Sequence, residues 1–99
     1  ALLVQRRSPK RTRQLVAIGE NIIRWRKLQG LSASALAERA YITRATLRAI
    51  EQGTGTASFN AVIAVANALG IANSLVTATD PMRSPAGRAL IDDQIVGTR

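Results

Sequence analysis

The side chains of this sequence best suited to recognition chemistry are two arginines in one short segment. Arg44 and Arg48 are four residues apart, close to one helical turn, and Thr46 lies between them. A guanidinium presents its N–H donors in a planar fork and can bond to guanine O6 and N7, or to a phosphate, through two of them. The pair therefore indicates nucleic-acid binding, although both arginines would also suit an ordinary solvated helix face.

Catalytic and metal-binding residue types are scarce. The 99 residues include no histidine and no cysteine, which excludes a histidine base, a histidine-ligated metal, a thiolate zinc site and a disulfide. The adjacent carboxylates Asp92 and Asp93 would point in different directions on a helix or a strand. We therefore expect no enzyme activity, no cofactor and no metal.

The charge balance points to a polyanionic partner. Fourteen Lys and Arg against six Asp and Glu give a net charge of +8, which suits nucleic acid first and an anionic membrane surface second. A folded, capped core argues against a membrane-surface peptide. No apolar run approaches the length of a membrane span, and residues 1–4 are too short for a signal-peptide core. A cytoplasmic, nucleoid-associated protein is expected.

Apolar spacing and capping residues predict five helices, covering residues 14–29, 32–40, 43–52, 58–70 and 73–80. In the first, Ile18, Ile22 and Trp25 form one apolar stripe. Phe59 is expected on the buried side of the fourth. Four helices begin at short polar side chains that can accept a hydrogen bond from an amide one turn on. These caps are Ser32, Thr43, Ser58 and Asn73.

The predicted domain organisation has three parts. Residues 1–13 should form a flexible basic arm, because Ser8-Pro9 breaks a helix and the like charges repel one another. This arm could contact DNA or serve only as a solubilising tail. Residues 14–79 should form an all-α, five-helix domain. Residues 80–99 should form a short tail, in which 88–96 could be a helix or a strand.

The most informative segment runs from Leu31 to Gly53, where two short helices are joined by a tight turn at Tyr41-Ile42. Ala37 has to be small because the two helices cross there at close range. The positions expected to be buried are Leu36, Ala37, Ile42, Leu47 and Ile50. With that face inward, the first turn of the later helix projects from the body, and a major groove is wide enough to admit it.

Residues 18–70 resemble the Xre family of lambda-repressor-like helix-turn-helix proteins. The matching run is IGENIIRWRKLQGLSASALAERAYITRATLRAIEQG. The Leu36-Ala37 pair and the end of the motif at Glu51–Gly53 have the spacing of the family. The resemblance implies a lambda-repressor-like DNA-binding domain and a sequence-specific regulator of transcription. The alternative is an ordinary helical bundle whose pattern coincides with the motif.

The resemblance also implies a role for individual residues. The residues implied to read bases are Thr43, Arg44, Ala45, Thr46 and Arg48. The residues implied or proposed to contact the DNA backbone are Ser32, Ser34, Gln52, Thr54 and Thr56, with Arg11 and Arg13 from the arm. For Thr54 and Thr56 a plain turn is an equally open interpretation. Arg26 and Glu51 match a structural ion pair between the first helix and the end of the third.

Two positions depart from the family pattern. Tyr41 stands where the family usually has a glycine in the turn, so it would either adopt a left-handed conformation, at roughly 1 kcal/mol, or alter the turn. Ala33 stands where the family often has a glutamine that touches phosphate. Ser32 or Ser34 could serve in its place, or the second helix could bind more weakly.

The end of the chain carries a narrower resemblance. The run LGIANSLVTATDPMRSPAGRAL, with Asp80-Pro81 and Gly87-Arg88, resembles the tail of HipB-type antitoxin repressors. Those proteins hold a kinase-fold toxin and repress their own operon. The resemblance implies a homodimeric autorepressor on a palindromic operator of double-stranded DNA, and a HipA-like toxin kinase as partner. The alternatives are a phage-type or general Xre-family repressor without a toxin, and a tail that only stabilises a dimer or is disordered.

Residues 73–96 are predicted to contact protein rather than DNA. This stretch has three acidic residues against two arginines, so it has no basic excess for phosphates. A chain this small cannot bury all of its large apolar side chains within itself. Those side chains are Leu75, Val76, Met82, Leu90, Ile91, Ile95 and Val96.

Overall fold

A computed structural model describes residues 8–97, and within them the fold is entirely helical. The elements are α1 (Pro9–Leu28), α2 (Ala33–Ala40), α3 (Arg44–Gln52), α4 (Phe59–Leu69), α5 (Ala72–Thr79), a 3₁₀ turn (Pro81–Arg83) and α6 (Pro85–Gly97). The all-α expectation holds, but the described part of the chain has six α-helices instead of five. The chain divides into two compact units between Leu69 and Gly70, so α5 is grouped with the tail and not with the domain predicted for 14–79.

Helix α1 begins earlier than predicted, and the arm expected at 1–13 is not entirely flexible. Ser8 does not break the helix but caps it, because its Oγ accepts from the amide of Arg11 at 3.0 Å. Pro9 fits the first helical turn, where its missing N–H would have no helical partner and its fixed φ suits the helix. Residues 9–13 are therefore helical, and residues 1–7 lie outside the described part of the chain.

The buried face of α1 also differs from the predicted stripe. Gly19 and Ile22 are buried, whereas Ile18 and Trp25 are 52% and 43% exposed. Gly19 determines this orientation, because a Cβ at that position would lie 2.7 Å from the Ile50 carbonyl oxygen. The helix therefore turns its glycine towards α3, and the bulkier side chains on either side are displaced from the interface.

The core of the first unit is small and aliphatic. Leu36, Leu47 and Val65 are the largest fully buried side chains, and each contributes about 1.5–3 kcal/mol through burial. Leu36, Ala37, Leu47 and Ile50 are buried as predicted, and Ile42 is half-buried. Phe59 is 71% exposed, because it is the first residue of α4 and lies beyond the packed turns; its predicted burial was wrong.

The second unit comprises α5, the 3₁₀ turn and α6, and none of these elements has a buried residue. Asn73 was expected to cap α5, but the capping position is Ile71, which makes no side-chain cap bond. Residues 88–96, left open as helix or strand, are helical. Gly87 allows α6 to approach the 3₁₀ turn, since a Cβ there would lie 2.6 Å from Pro81 Cα. Within residues 8–97, no helix is both long and apolar enough to span a membrane.

Candidate nucleic-acid interface

The turn between α2 and α3 is closed by Tyr41 in the left-handed conformation. Its φ and ψ are 56° and 42°, and it is the one non-glycine residue with positive φ in the described chain. The Tyr41 amide donates to the Glu38 carbonyl at 3.1 Å, and the Ile42 amide donates to the Ala37 carbonyl at 3.0 Å. The sequence left open whether Tyr41 adopts a left-handed conformation or the turn is altered. The structure has the left-handed conformation. The Tyr41 side chain is 96% exposed and adds nothing to the core.

The start of α3 is fixed by a pair of threonines. Thr43 Oγ1 accepts from the Thr46 amide at 3.0 Å and donates to Thr46 Oγ1 at 2.9 Å. The Thr43 hydroxyl therefore caps α3 and uses its proton within the first turn of the helix. Arg44, Ala45 and Arg48 are exposed beyond it, as is Gln52 one turn further on.

The opposite side of α3 is packed into the body. Leu47 and Ile50 are buried, so the exposed side of α3 is held in a fixed orientation. The helix therefore presents two guanidinium groups and a methyl group outward from a rigid base. This chemistry suits the edges of bases in a major groove, since guanidinium pairs with guanine and a methyl contacts thymine.

Arg44 is connected to the preceding helix. Its Nη1 donates to Ser34 Oγ at 2.6 Å, and both residues are exposed. Ser32, two residues earlier, caps α2 by accepting from the Ala35 amide at 3.0 Å. Sequence analysis did not find the bond between Ser34 and Arg44. The positions of Ser34 and Arg44 gave an indication of the bond, since both lie in the first turns of helices that meet in one motif.

Arg26 and Glu51 form the ion pair expected between α1 and the end of α3. Arg26 Nε donates to Glu51 Oε2 at 2.8 Å and Nη2 donates to Oε1 at 3.2 Å, which is a bidentate arrangement. The two side chains are 14% and 11% exposed. Arg26 Nη1 also donates to the Leu31 carbonyl at 3.3 Å. The pair thus fixes α1, the end of α3 and the entry to α2 together.

The loop between α3 and α4 makes internal hydrogen bonds. Thr54 Oγ1 donates to the Ala49 carbonyl at 3.2 Å, and the hydroxyls of Thr54 and Thr56 are 2.8 Å apart. Ser58 caps α4 by accepting from the Ala61 amide at 3.0 Å. An open groove of about 600 Å³ lies between the first turns of α3 and α4. Its uncharged lining is Ala40, Tyr41, Ile42, Thr43, Thr46, Thr56, Ala57, Ser58, Asn60, Ala61 and Ala64.

The arginines of the expected arm lie on different faces of α1. At 100° per residue, Arg11 shares a face with Leu15, Gly19 and Ile22, the face that packs on α3. Arg13 is on the opposite side of the helix. Both side chains are exposed, and by helical position only Arg11 belongs to the face of α1 that packs on α3.

Comparison of the sequence with known protein families agrees with this geometry. A helix-turn-helix family model matches residues 22–72, just over half of the chain, and the matched region holds α2, α3 and α4 with their connecting turns. The chain belongs to the helix-turn-helix family of the Xre type and is a DNA-binding regulator of transcription. No curated protein and no solved structure matches it.

Proposed function

We propose that the chain is a sequence-specific repressor that binds a palindromic operator as a homodimer, with α3 of each copy in the major groove. The observation that carries the proposal is the exposed side of α3, with Arg44, Ala45 and Arg48, on a helix whose other side is buried. A rigidly held helix can discriminate between bases because its side chains meet the base edges in one geometry.

Within this proposal the residues of α3 divide by chemistry. Arg44 bonds to guanine O6 and N7, and Ala45 or the Thr46 methyl contacts a thymine methyl. Arg48, one turn further, contacts a base or a phosphate. Thr43 supports the readers as their cap, since its hydroxyl donates its proton and accepts an amide bond within the first turn.

The backbone contacts come from residues around α3. Gln52 is exposed at the end of that helix. A contact of this kind fixes the register of a protein on DNA without reading sequence. Ser32 could donate its hydroxyl proton to a phosphate while it caps α2. Thr54 and Thr56 fit the plain turn interpretation better, because the Thr54 hydroxyl donates to the Ala49 carbonyl and the Thr56 hydroxyl is then the donor in its 2.8 Å bond to Thr54.

The second unit is proposed as the surface for protein partners. Its large apolar side chains are exposed and its helices bury nothing, which is the character of a surface that another chain covers. The exposed members are Leu75, Val76, Met82, Leu90, Ile95 and Val96. The partner proposed first for this surface is a second copy of the chain, since paired half-sites require paired domains.

The resemblance of the tail supports a finer version of the proposal, in which the repressor is the antitoxin of a HipBA-like system and also binds a HipA-like toxin kinase. A phage-type or general Xre-family repressor without a toxin is the alternative. A kinase-fold gene that adjoins or overlaps this one would favour the antitoxin. Its product should then co-purify with this chain.

Selection from random duplexes, followed by hydroxyl-radical footprinting, tests the proposal. We expect an inverted repeat whose half-site centres are about one helical turn apart, roughly 34 Å. A single asymmetric site would contradict the homodimer. Recovery of no preferred sequence would contradict specific repression altogether.

A further inference from the structure

The hydrogen bond between Arg44 and Ser34 joins the proposed base reader to a different helix. Arg44 is the first residue of α3, and Ser34 is the second residue of α2. The distance of 2.6 Å between Nη1 and Oγ is that of a short, charge-assisted bond. An exposed arginine otherwise samples many rotamers, so this bond restricts where its guanidinium lies.

The bond leaves one edge of the guanidinium entirely unused. A guanidinium can address guanine through its two Nη atoms or through Nε and Nη2. The bond to Ser34 uses one of the two N–H donors of Nη1, so the edge formed by Nε and Nη2 keeps all of its donors for two parallel bonds. That edge has the geometry needed for guanine O6 and N7.

We propose that Ser34 is a positioning residue, which holds Arg44 so that its Nε–Nη2 edge meets a guanine. This inference rests on the proposed function and refines it. It also replaces the expectation that Ser34 contacts the DNA backbone. Ser34 acts through Arg44, so its effect is on base preference and not on general affinity.

Ser34 can be replaced without damage to the fold. Its hydroxyl is not the α2 cap, since Ser32 supplies that bond. Alanine is a better helix former than serine at an exposed helical position. Ser34→Ala should therefore fold normally, while Ser34→Thr keeps the hydroxyl at the same place.

The test uses the full chain and the preferred duplex obtained by selection. Binding is compared between this duplex and one with the guanine pair read by Arg44 changed to an adenine pair, and the ratio of the two dissociation constants measures discrimination. Ser34→Ala should reduce that ratio by about three- to tenfold, the range for one lost hydrogen bond, and Ser34→Thr should restore it. In an Arg44→Ala background, Ser34→Ala should have no further effect.

Three results would overturn the inference. If Ser34→Ala weakens binding to preferred and random duplexes alike, and does so in the Arg44→Ala background too, Ser34 is a backbone contact. If discrimination is unchanged in Ser34→Ala, the bond does not position Arg44. If the native chain prefers no duplex at all, the proposed function fails, and this inference fails with it.

Discussion

At the scale of the residue, hydrogen bonds and an ion pair hold both ends of α3 in place. Thr43 fixes the first turn of α3, Ser34 holds Arg44, and the ion pair of Arg26 with Glu51 fixes the end of the same helix. The readers are exposed and flexible by nature, so their precision has to come from these supports. The cap and the ion pair are predictable from the sequence, but the bond of Ser34 with Arg44 is not, because a contact between two exposed side chains leaves no hydrophobic pattern.

Removal of Glu51 should destabilise the fold strongly. Glu51→Ala would leave Arg26 with its charge largely buried and without its carboxylate, which costs about 3–5 kcal/mol for a buried pair. Urea unfolding followed by circular dichroism would measure this. Glu20→Ala, at an exposed carboxylate of α1, is the control and should change stability by less than about 0.5 kcal/mol. Equal effects of the two substitutions would show that the pair has no special role.

A substitution at Tyr41 is expected to stabilise the fold. Tyr41→Gly should relieve about 1–2 kcal/mol of left-handed strain, less about 0.5–1 kcal/mol for the greater freedom of glycine in the unfolded chain. The free energy of unfolding should therefore rise by roughly 0–1.5 kcal/mol. Tyr41→Ala is the control, because it removes the exposed ring but keeps the Cβ that causes the strain. A gain in Tyr41→Ala, or a loss in Tyr41→Gly, would contradict this account of the turn.

At the scale of the element, close backbone packing explains the differences from the sequence-based prediction. The apolar residues of α1 predicted a stripe through Ile18 and Trp25, but Gly19 takes the buried position because only glycine lets α1 approach the α3 carbonyls. Gly53 has the same role nearby, since a Cβ there would lie 2.6 Å from Val16 Cα. A hydrophobicity pattern does not reveal such contacts, because glycine contributes no side chain to it.

The start of α1 was mispredicted for a different reason. Ser8-Pro9 was interpreted as a break, although a serine followed by a proline is equally typical of a helix start. The basic charges seemed to favour an arm, yet the cap and the proline suffice to begin the helix there. By contrast, the caps of α2, α3 and α4 were predicted correctly, because each precedes a well-patterned apolar segment.

The helical form of this segment separates Arg11 from Arg13. Arg11 lies on the α3 side of α1 and is expected to contact one phosphate. Arg11→Gln should therefore make the plot of log affinity against log salt concentration less steep by about 0.9, the value for one phosphate contact. Arg13→Gln removes the same charge two residues away, from the opposite side, and should leave the slope unchanged. Titration of a long random duplex at several salt concentrations would measure both. Equal reductions would show that a general charge effect, and not the helix face, determines binding.

At the scale of the whole molecule, one unit carries the DNA-binding motif, and the other consists of helices that bury no residue and expose large apolar side chains. The prediction of the tail as a protein-contact region used its neutral charge and its apolar content, and both features are displayed on its helices. The identity of the partner did not follow from the sequence. An exposed apolar surface does not identify its partner, because specificity would depend on the side chains of the second chain.

Truncation after Leu69, which removes the whole second unit, tests the role of this surface. The shortened chain should keep its helical circular dichroism, because the buried residues of the described chain all precede Gly70. It should become monomeric in sedimentation equilibrium and bind its operator more weakly, since two linked domains gain affinity that one domain lacks. A truncated chain that stays dimeric and binds normally would contradict the proposed interface.

The central claim is that Arg44 reads guanine in the major groove of both half-sites, and methylation protection tests it most directly. Dimethyl sulfate modifies guanine N7, the atom to which an arginine fork would bond. On the selected operator, the native chain should protect one guanine N7 at the same place in each half-site, and Arg44→Ala should leave both reactive while the rest of the footprint persists at higher protein concentration. Unchanged protection in Arg44→Ala, or protection confined to adenine N3 in the minor groove, would contradict the claim.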